Sequence, residues 1–226
     1  MDLDGIRTFA LVVVSGRDAT RGGKVVAAIR EHGDRAEFVR ADLASPESAT
    51  ALARGAEEVL GQVDVLVNNA GLVQFGPTAG TDGEAFDASY GLNVKVPFFL
   101  TAALAPGMAA RGWGRIVNVT TMAAHFGMVG AALYGSSKAA LRLLTQAWAA
   151  EFGAHGVTVN AVAPGPTRTP GAARFGDAID QLARAAPAGR AALPAEIAAA
   201  VLYLASPEAG FVNGATLAID GGRTAT

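Results

Sequence analysis

The sequence predicts an α/β fold in which a parallel sheet carries helices on both of its faces, the arrangement called doubly wound. Six short apolar runs rich in β-branched residues alternate with longer Ala-rich stretches, which is the pattern of buried parallel strands joined by helices. The chain has 226 residues, of which 51% are hydrophobic and 17% charged. This length suits one α/β domain with a sizeable core, so we expect residues 1–226 to form a single domain.

The order of the elements follows from these runs. The expected strands are residues 11–15, 36–40, 63–68, 115–120, 157–162 and 216–220. The expected helices are residues 20–32, 45–60, 82–91, 93–111, 133–155 and 194–206. Ser45 should cap the second helix, with Pro46 in its first turn. Residues 164–193, rich in Pro, Gly and Ala, form the least regular segment and are expected to be a surface loop with one short helix.

Composition excludes several classes of function. A net charge of −2 gives no electrostatic reason to expect nucleic acid as a partner. Cysteine is absent, which excludes disulfides and thiolate chemistry, and no His, Asp and Glu cluster has metal-ligand spacing, so no metal is expected. No apolar run reaches the roughly 18 residues of a membrane span. The first residues lack the apolar core of a signal peptide, so a cytoplasmic protein without membrane contact is expected.

Four polar residues form a candidate proton-transfer apparatus. Lys138 follows Tyr134 by four residues and shares its helix face, so its ammonium can approach the phenol. A nearby cation stabilises phenolate and would lower the pKa of Tyr134 toward neutral pH. Such a tyrosine can donate a proton to a carbonyl oxygen or accept one from an alcohol. The alternative is an ordinary Tyr and Lys on a surface helix; Thr121 and Asn93 upstream favour the catalytic interpretation.

Several motifs occur in a fixed order around this pair. They are Ser15-Gly16-Arg17-Asp18, Ala41-Asp42-Leu43, Asn68-Asn69-Ala70-Gly71, Leu92-Asn93-Val94, Asn118-Val119-Thr120-Thr121, Pro164-Gly165-Pro166-Thr167-Arg168-Thr169 and Ile219-Asp220-Gly221-Gly222. Together they resemble the short-chain dehydrogenase/reductase family, above all its compact members that reduce 3-oxoacyl thioesters and ketones. The resemblance implies a Rossmann-like sheet and a hydride transfer between NADP(H) and a keto or hydroxy group. The implied partner is a small-molecule or acyl carbonyl or alcohol.

The resemblance also implies a role for each catalytic residue. Tyr134 would exchange the proton, and Lys138 would tune the tyrosine and hold a ribose hydroxyl. Thr121 stands where the family usually has Ser; its extra methyl narrows the site, but its hydroxyl can still donate. Thr120 should point to the other face of the strand. Asn93 would hold a water that extends the proton relay, or would be an interior Asn bonded to backbone; both can hold at once.

Cofactor contacts are implied in the same way. Asn68 is expected to be mainly structural. Asp42 would hydrogen-bond the adenine, although an Asp after a strand is often only a cap. The remaining implied contacts are Leu43 at the adenine, Asn69, Ala70 and Gly71 at the ribose, Tyr134 and Lys138 in the site itself, and Pro164, Gly165, Thr167 and Thr169 at the nicotinamide. In relatives, residues 164–193 form a lid over the substrate.

Arg17 bears on the choice between the two dinucleotides. It lies just past the strand that carries an acidic residue in relatives preferring NAD(H), whereas an Arg there can pair with a 2′-phosphate. The sequence therefore favours NADP(H), with NAD(H) as the alternative. Ser15 precedes it and is expected to stand with Arg17 where a phosphate-binding turn belongs.

The glycine-rich turn of the form T-G-x-x-x-G-x-G is the motif that this sequence lacks. About twenty residues, most of one N-terminal strand–turn–helix unit, are missing relative to the family pattern. Residues 15–22 could be the turn itself, but Thr20 stands where its middle Gly should be, and the downstream spacing disagrees. The sequence thus comes from a degenerate member or omits residues of the working protein. We expect residues 11–15 to move beside residues 63–68, giving one six-stranded sheet, and the dinucleotide to bind roughly a thousandfold more weakly.

Two further functions stay open at this point. One is a non-redox catalyst that uses Tyr134, Lys138 and Thr121 for proton transfer alone. The other is a non-catalytic member acting as a subunit. In relatives, helices matching residues 93–111 and 133–155 pack across a two-fold axis, so a homotetramer, a dimer of dimers, or a homodimer is expected. Candidates for an apolar pocket wall, each equally consistent with core packing, are Phe75, Phe126, Met128 and Phe175.

Overall fold

The computed structural model of the protein describes residues 11–226, which form six β-strands and seven α-helices. The strands are β1 Val12–Gly16, β2 Ala36–Arg40, β3 Val65–Asn68, β4 Gly114–Val119, β5 Val157–Pro164 and β6 Thr216–Ile219. The helices are α1 Ala19–Glu31, α2 Pro46–Leu60, α3 Gly83–Tyr90, α4 Val96–Arg111, α5 Ala132–Phe152, α6 Ala178–Arg184 and α7 Pro194–Ala205. The motif-poor residues 1–10, on which the prediction of a missing turn partly depends, lie outside the described residues.

All strand pairings are parallel, which confirms the predicted α/β class. β3, β4, β5 and β6 pair in that order into one four-stranded sheet, and β1 pairs with β2 into a separate two-stranded sheet. Because parallel neighbours need crossover connections, a helix follows nearly every strand. The carboxyl ends of the strands therefore meet along common edges, and the loops that leave them carry the candidate site.

The predicted joining of the strands into one six-stranded sheet is wrong. Within residues 11–226, β1 pairs only with β2, and β3 pairs only with β4. Two sets of contacts hold β1 away from β3. β1 and β2 are in register over all five residues, and Val13 and Val39 pack against the same core cluster as α2. Moving the β1–β2 pair beside β3 would require the packing of Val13 and Val39 beside α2 to change.

Local sequence rules account for most element ends. Ser45 caps α2 by accepting a hydrogen bond from the Ser48 N–H at 3.3 Å, and Pro46 stands in the first turn, as predicted. The helix expected over residues 93–111 instead begins with a π turn, Gly91–Lys95, and continues as α4. The irregular segment after β5 contains the 3₁₀ turn Pro170–Phe175 followed by α6, one short helix more than expected.

The core has two parts, one on each side of the larger sheet. The first joins α2, α4 and α5 to β4 and β5, and includes Leu52, Leu104, Met108, Leu141 and Val159. In the second, α7 packs on β4 and β5 through Val117, Val162 and Leu204. Since α2 contacts both β1 and α4, it is the element through which the two-stranded sheet is attached to the rest of the molecule.

One helical stretch is unusually apolar. Residues 83–111, from α3 through the π turn to α4, are long and apolar enough to cross a membrane by length and composition alone. The buried side chains of α4, such as Leu100 and Met108, belong to the first core cluster. The same test is passed by a core helix of a soluble protein, and the packing of α4 against α2 explains the apolar sequence here.

The separation of the sheets predicts unequal backbone protection. Amides of β1 (Val12–Gly16) should exchange with solvent deuterium at least about a hundredfold faster than those of β4 (Gly114–Val119), because β4 is paired on both sides and β1 on one. Hydrogen–deuterium exchange followed by mass spectrometry measures both segments in one experiment. Equal protection would show that a further strand fills the space between β1 and β3 in solution.

Candidate active site

Tyr134 and Lys138 lie together on the first turns of α5, and both side chains are buried. Tyr134 is 9% exposed and Lys138 is 3% exposed. The Lys138 ammonium donates a hydrogen bond to the Val119 carbonyl at 2.8 Å, at the end of β4. The alternative of a Tyr and a Lys on an exposed helix surface is therefore wrong: this pair points into the protein at the carboxyl edge of the sheet.

Burial controls the protonation of both groups. It raises the pKa of Tyr134, and the Thr121 hydroxyl, which hydrogen-bonds the phenol, offsets part of that rise. Burial also lowers the pKa of Lys138 to about 8. The expectation that Lys138 lowers the pKa of Tyr134 is thus wrong for this state, since desolvation disfavours both charged forms and the ammonium is committed to Val119. At neutral pH, Tyr134 is a protonated phenol.

Asn93 connects α5 to the loop after β3. Its Oδ1 accepts from the Leu72 N–H at 2.8 Å, and its Nδ2 donates to the Leu72 carbonyl at 3.0 Å and to Ser137 Oγ at 2.9 Å. Ser137 Oγ in turn donates to the Tyr134 carbonyl at 2.8 Å. The structure therefore shows the backbone-bonded arrangement of Asn93. The π turn in which Asn93 lies is the irregular helix geometry that is frequent at functional sites.

Gly71 brings the loop after β3 against this network. A Cβ atom at Gly71 would lie 3.1 Å from Lys138 Nζ and 3.3 Å from Asn93 Oδ1. Both distances are short, so a side chain here would crowd the Lys138 ammonium and the Asn93 amide. Asn69 and Ala70, which precede it, are exposed at the carboxyl end of β3 and leave that edge open.

The two threonines that end β4 have separate roles. Thr121 is 8% exposed, and its Oγ1 accepts a hydrogen bond from the Ala123 N–H at 3.3 Å. Thr120 Oγ1 donates to the Val162 carbonyl at 2.8 Å, on the neighbouring strand. Because Thr120 is committed to β5, Thr121 is the hydroxyl that remains beside Tyr134, in agreement with strand alternation.

Asn68 lies within the sheet, as its structural assignment requires. Its Nδ2 donates to Asn118 Oδ1 at 2.8 Å, and Asn118 Nδ2 donates to Thr145 Oγ1 at 2.9 Å. These buried amides tie β3 to β4 and β4 to α5. The chain of hydrogen bonds fixes the strand ends from which Gly71 and Thr121 extend.

The residues after β5 are arranged by the end of β6. The Gly165 N–H donates to the Ile219 carbonyl, and a Cβ at Gly165 would come within 2.8 Å of Asp220 Cα, so only glycine fits. Pro164 ends β5, and Thr167 forms an isolated bridge with Ala192. Thr169 caps the 3₁₀ turn Pro170–Phe175. These contacts give Gly165 and Thr169 structural reasons for their presence, whatever they contact in a ligand.

Four of the predicted cofactor residues lie on the separate two-stranded sheet. Ser15 and Arg17 are exposed at the end of β1, and the Arg17 carbonyl accepts from Arg40 Nε at 3.3 Å. Asp42 is exposed after β2, while Leu43 packs partly against the first core cluster. These four residues share no hydrogen bond with the Tyr134 network in the described part of the chain.

A nicotinamide dinucleotide fits one half of this edge. The exposed backbone at Asn69 and Ala70 and the side-chain-free surface at Gly71 would admit a ribose near Lys138. Among residues 11–226, the N-terminus of α1 is not free to bind the pyrophosphate half. The first helix of the described residues, α1, has its N-terminus occupied by the Asp18 carboxylate, which accepts from the Arg21 N–H at 3.0 Å. This carboxylate occupies the position where a phosphate would bind at the helix N-terminus, and it already interacts with the positive end of the helix dipole.

Sequence reasoning missed four residues that hold the site. Ser137 could have been found, because a Ser three residues after Tyr134 on a helix is placed to bond its carbonyl. The Val119 and Leu72 backbone groups carry no side-chain signal. Asp220 was quoted only as part of a motif, but its carboxylate accepts from the Gly222 and Thr224 N–H groups and thereby folds the chain's last turn under Gly165.

Comparison with known proteins agrees with this arrangement. A family profile described as Enoyl-(Acyl carrier protein) reductase matches residues 8–224. A solved structure described as a short chain dehydrogenase/reductase family protein is 50% identical, with a TM-score of 0.87 over 95% of this chain and 86% of that one. This chain belongs to the short-chain dehydrogenase/reductase family.

Two further relatives of this short-chain dehydrogenase/reductase have names that state a substrate or a bound cofactor. Cyclopentanol dehydrogenase of Comamonas sp. (strain NCIMB 9872) is 38% identical over 223 residues, which cover 97% of this chain and 89% of that protein. A gluconate 5-dehydrogenase from Burkholderia cenocepacia J2315, solved in complex with NADP and tartrate, is 31% identical, with a TM-score of 0.88 over 95% of this chain and 85% of that one.

The buried Lys138 of this short-chain dehydrogenase/reductase should give a pH-dependent stability. Its pKa falls from 10.5 to about 8 on folding, so the folded state holds fewer protons between these values. The free energy of unfolding of the wild type, relative to Lys138→Met, should therefore rise by up to about 3 kcal/mol as the pH increases from 8 to 10.5. Urea unfolding of both proteins at half-unit pH steps measures the difference.

Lys95→Met provides the control, because Lys95 is exposed and the same charge is removed. Its unfolding free energy should track the wild type across this pH range. A pH-independent difference between the wild type and Lys138→Met would contradict the desolvation of Lys138.

Proposed function

We propose that this protein is an oxidoreductase that transfers a hydride between NADP(H) and a keto or hydroxy group of a small molecule. Its relatives are dehydrogenases and reductases, which supports oxidoreductase activity in general. The observation that supports hydride transfer to a carbonyl is the buried, protonated Tyr134, with Thr121 beside it and the buried Lys138 on the same turns of α5. A subunit without catalysis would have no use for a buried lysine, whose desolvation costs stability.

The residues support carbonyl reduction as follows. When bound, the reduced nicotinamide supplies the hydride that attacks the carbonyl carbon. Tyr134 gives its proton to the carbonyl oxygen, which becomes an alcohol, and the Thr121 hydroxyl donates a hydrogen bond to the same oxygen. We propose that Lys138, less basic than usual in this site, returns a proton to the phenolate. Oxidation of an alcohol reverses these transfers.

Asn93 completes the proton path through its position in the π turn. All polar atoms of its amide are engaged with Leu72 and Ser137, so the side chain itself is not available to a water. We therefore place the water contact at its main-chain carbonyl, within the irregular turn Gly91–Lys95.

NADP(H) is favoured over NAD(H) because of Arg17. Its side chain is exposed just past β1, with Arg40 bonded to its carbonyl, so two guanidinium groups stand near the end of this strand. The solved gluconate 5-dehydrogenase neighbour holds NADP. A 2′-phosphate is the anion that such a pair of guanidinium groups would bind. Asn69, Ala70, Pro164 and Thr167 would line the rest of the ligand.

The alternative is a protein with impaired dinucleotide binding. The occupied N-terminus of α1 and the separation of β1 from β3 favour it. Such a protein would keep Tyr134, Lys138 and Thr121 for proton transfer without redox chemistry, or would serve as a subunit. Titration of NADPH into a protein whose intact mass equals the printed 226 residues separates the two functions.

We also propose a domain organisation, a cellular location and an assembly for the protein. We place the whole chain in one domain, in the cytoplasm, and in a homotetramer or homodimer. The partly exposed Phe98 of α4 and Leu143 of α5 lie on helices that would pack across a two-fold axis. Light scattering at micromolar concentration measures the assembly.

Replacement of the proton donor tests the proposed function. Tyr134→Phe keeps the ring but removes the hydroxyl, so ketone-dependent NADPH oxidation should fall by at least about a thousandfold. Thr121→Ser keeps the donor and removes the crowding methyl, so its rate should equal or exceed that of the wild type. Circular dichroism checks that both proteins are folded. A Tyr134→Phe rate near that of the wild type would exclude this mechanism.

The cofactor preference is tested at Arg17. Arg17→Ala should weaken NADPH at least about tenfold and leave NADH nearly unchanged, because a charge-assisted contact to the 2′-phosphate is worth about 1.5–3 kcal/mol. Fluorescence titration up to millimolar cofactor gives both affinities. Arg21→Ala is the matched control, since Arg21 is an exposed arginine paired with Asp18 at 2.7 Å. Equal losses for NADPH and NADH would show that Arg17 supports the loop instead.

A further inference from the structure

Two aromatic rings from separate segments of the chain extend in series from the ring of Tyr134. Phe75, in the loop after β3, lies with its ring centroid 5.6 Å from that of Tyr134, at an interplanar angle of 71°. On its other side, Phe75 lies 5.8 Å from Phe175, at 75°. Both are edge-to-face contacts, the geometry that aromatic pairs prefer. Phe175 ends the 3₁₀ turn Pro170–Phe175, so the lid segment reaches the site through Phe75.

Arg174 fastens this arrangement. Its Nη2 donates to the Val73 carbonyl at 2.8 Å, and its guanidinium lies 4.7 Å above the ring of Phe175. One arginine therefore bonds the loop that carries Phe75 while covering the aromatic ring of the lid. We call the set Phe75, Phe175 and Arg174 the aromatic latch.

The loop that carries Phe75 is also held from the opposite side. The Gly76 N–H donates to the Gly130 carbonyl at 2.8 Å, and this bond joins it to the loop between β4 and α5. Val129, next to Gly130, is fully exposed, so the rim of the site at this point is apolar. Phe75 itself remains 44% exposed and is free to contact a ligand.

The positively charged side chains named near the latch already have hydrogen-bond or aromatic partners. The Lys138 ammonium is bonded to Val119, and Arg174 is bonded to Val73 and lies over Phe175. Phe126, predicted as part of the same wall, lies instead beneath Arg223, 5.1 Å from its guanidinium carbon. Of the predicted wall residues, Phe75 thus packs against Tyr134 and Phe175 packs against Phe75, and both Lys138 and Arg174 already have hydrogen-bond partners.

We propose that the aromatic latch makes Phe75 and Phe175 the specificity-determining residues, and that they select a compact apolar ketone or alcohol whose ring or alkyl group packs on Phe75. The proposal rests on the proposed function for the reaction itself. A substrate of this class would bury apolar surface against two aromatic rings, while one bearing a carboxylate on the same ring would bring a charge against that apolar wall.

The test compares two ligands and two matched variants. Cyclohexanone and 4-oxocyclohexane-1-carboxylate have the same ring, and only the second carries a charge. Phe75→Ala removes the proposed contact; Phe86→Ala is the control, because Phe86 is 47% exposed and stacks on Tyr90 away from the latch. Phe75→Leu serves as a second variant that keeps apolar volume if Phe75→Ala fails to fold.

Ligand-observed saturation-transfer NMR gives a readout that needs no turnover. The wild type should bind cyclohexanone at least about tenfold more tightly than the carboxylate. Phe75→Ala should lose about tenfold in affinity for cyclohexanone, Phe75→Leu less, and Phe86→Ala nothing. Equal affinities for the two ligands, preference for the carboxylate, or equal losses in Phe75→Ala and Phe86→Ala would each overturn the proposal.

Kinetics and proteolysis separate this inference from the proposed function. If NADPH oxidation occurs, the KM for cyclohexanone should rise about tenfold in Phe75→Ala, with a smaller change in kcat. If no ketone supports oxidation, the proposed function fails, while the NMR result still decides the specificity. Trypsin should cut after Arg174 faster in Phe75→Ala than in Phe86→Ala, because the latch no longer shields that bond. Equal cleavage rates would show that Phe75 does not hold the lid.

Discussion

The amide of Asn93 is the interaction on which the site depends. It bonds both backbone groups of Leu72 and, through Ser137, the carbonyl of Tyr134, so it fixes the loop after β3 against α5. A buried amide with every polar atom satisfied tolerates little displacement, because each lost bond leaves an unpaired group in a dry interior. The π turn allows Asn93 to reach this position without ending the helix. Gly71, lacking a side chain, lets Lys138 share the same small space.

Burial away from water then sets the protonation states of Tyr134 and Lys138. Desolvation favours the neutral phenol of Tyr134 and makes Lys138 a weaker base, which is the reverse of a simple picture in which the lysine ionises the tyrosine. A ligand that brings charge or hydroxyl groups to Lys138 would compete with the Val119 carbonyl for the ammonium. Without a ligand, the site therefore holds Tyr134 as a protonated phenol. In the described residues, the Lys138 ammonium makes one hydrogen bond, to the Val119 carbonyl.

The divided sheet separates the two ends of the site. The residues proposed for the active site extend from β3, β4 and α5, which belong to the four-stranded sheet or pack on it in the first core cluster. The residues expected at the adenine end extend from β1 and β2, which are attached through α2. The two ends of the site are thus carried by different sheets that share the first core cluster.

The sequence by itself determined the fold class, the order of the elements and the side chains that we propose for proton transfer. Hydrophobic runs mark strands whatever their neighbours, a Ser-Pro pair caps α2 locally, and the four-residue spacing of Tyr134 and Lys138 fixes their shared helix face. Only the tertiary structure decided which strands pair, which protonation states burial imposes, and which of the candidate aromatic residues meet at Tyr134. These depend on contacts between residues far apart in the chain, such as Phe75 with Phe175 and β1 with α2. Pattern and spacing carry no information about such distant packing, because its energy comes from how whole elements fit together.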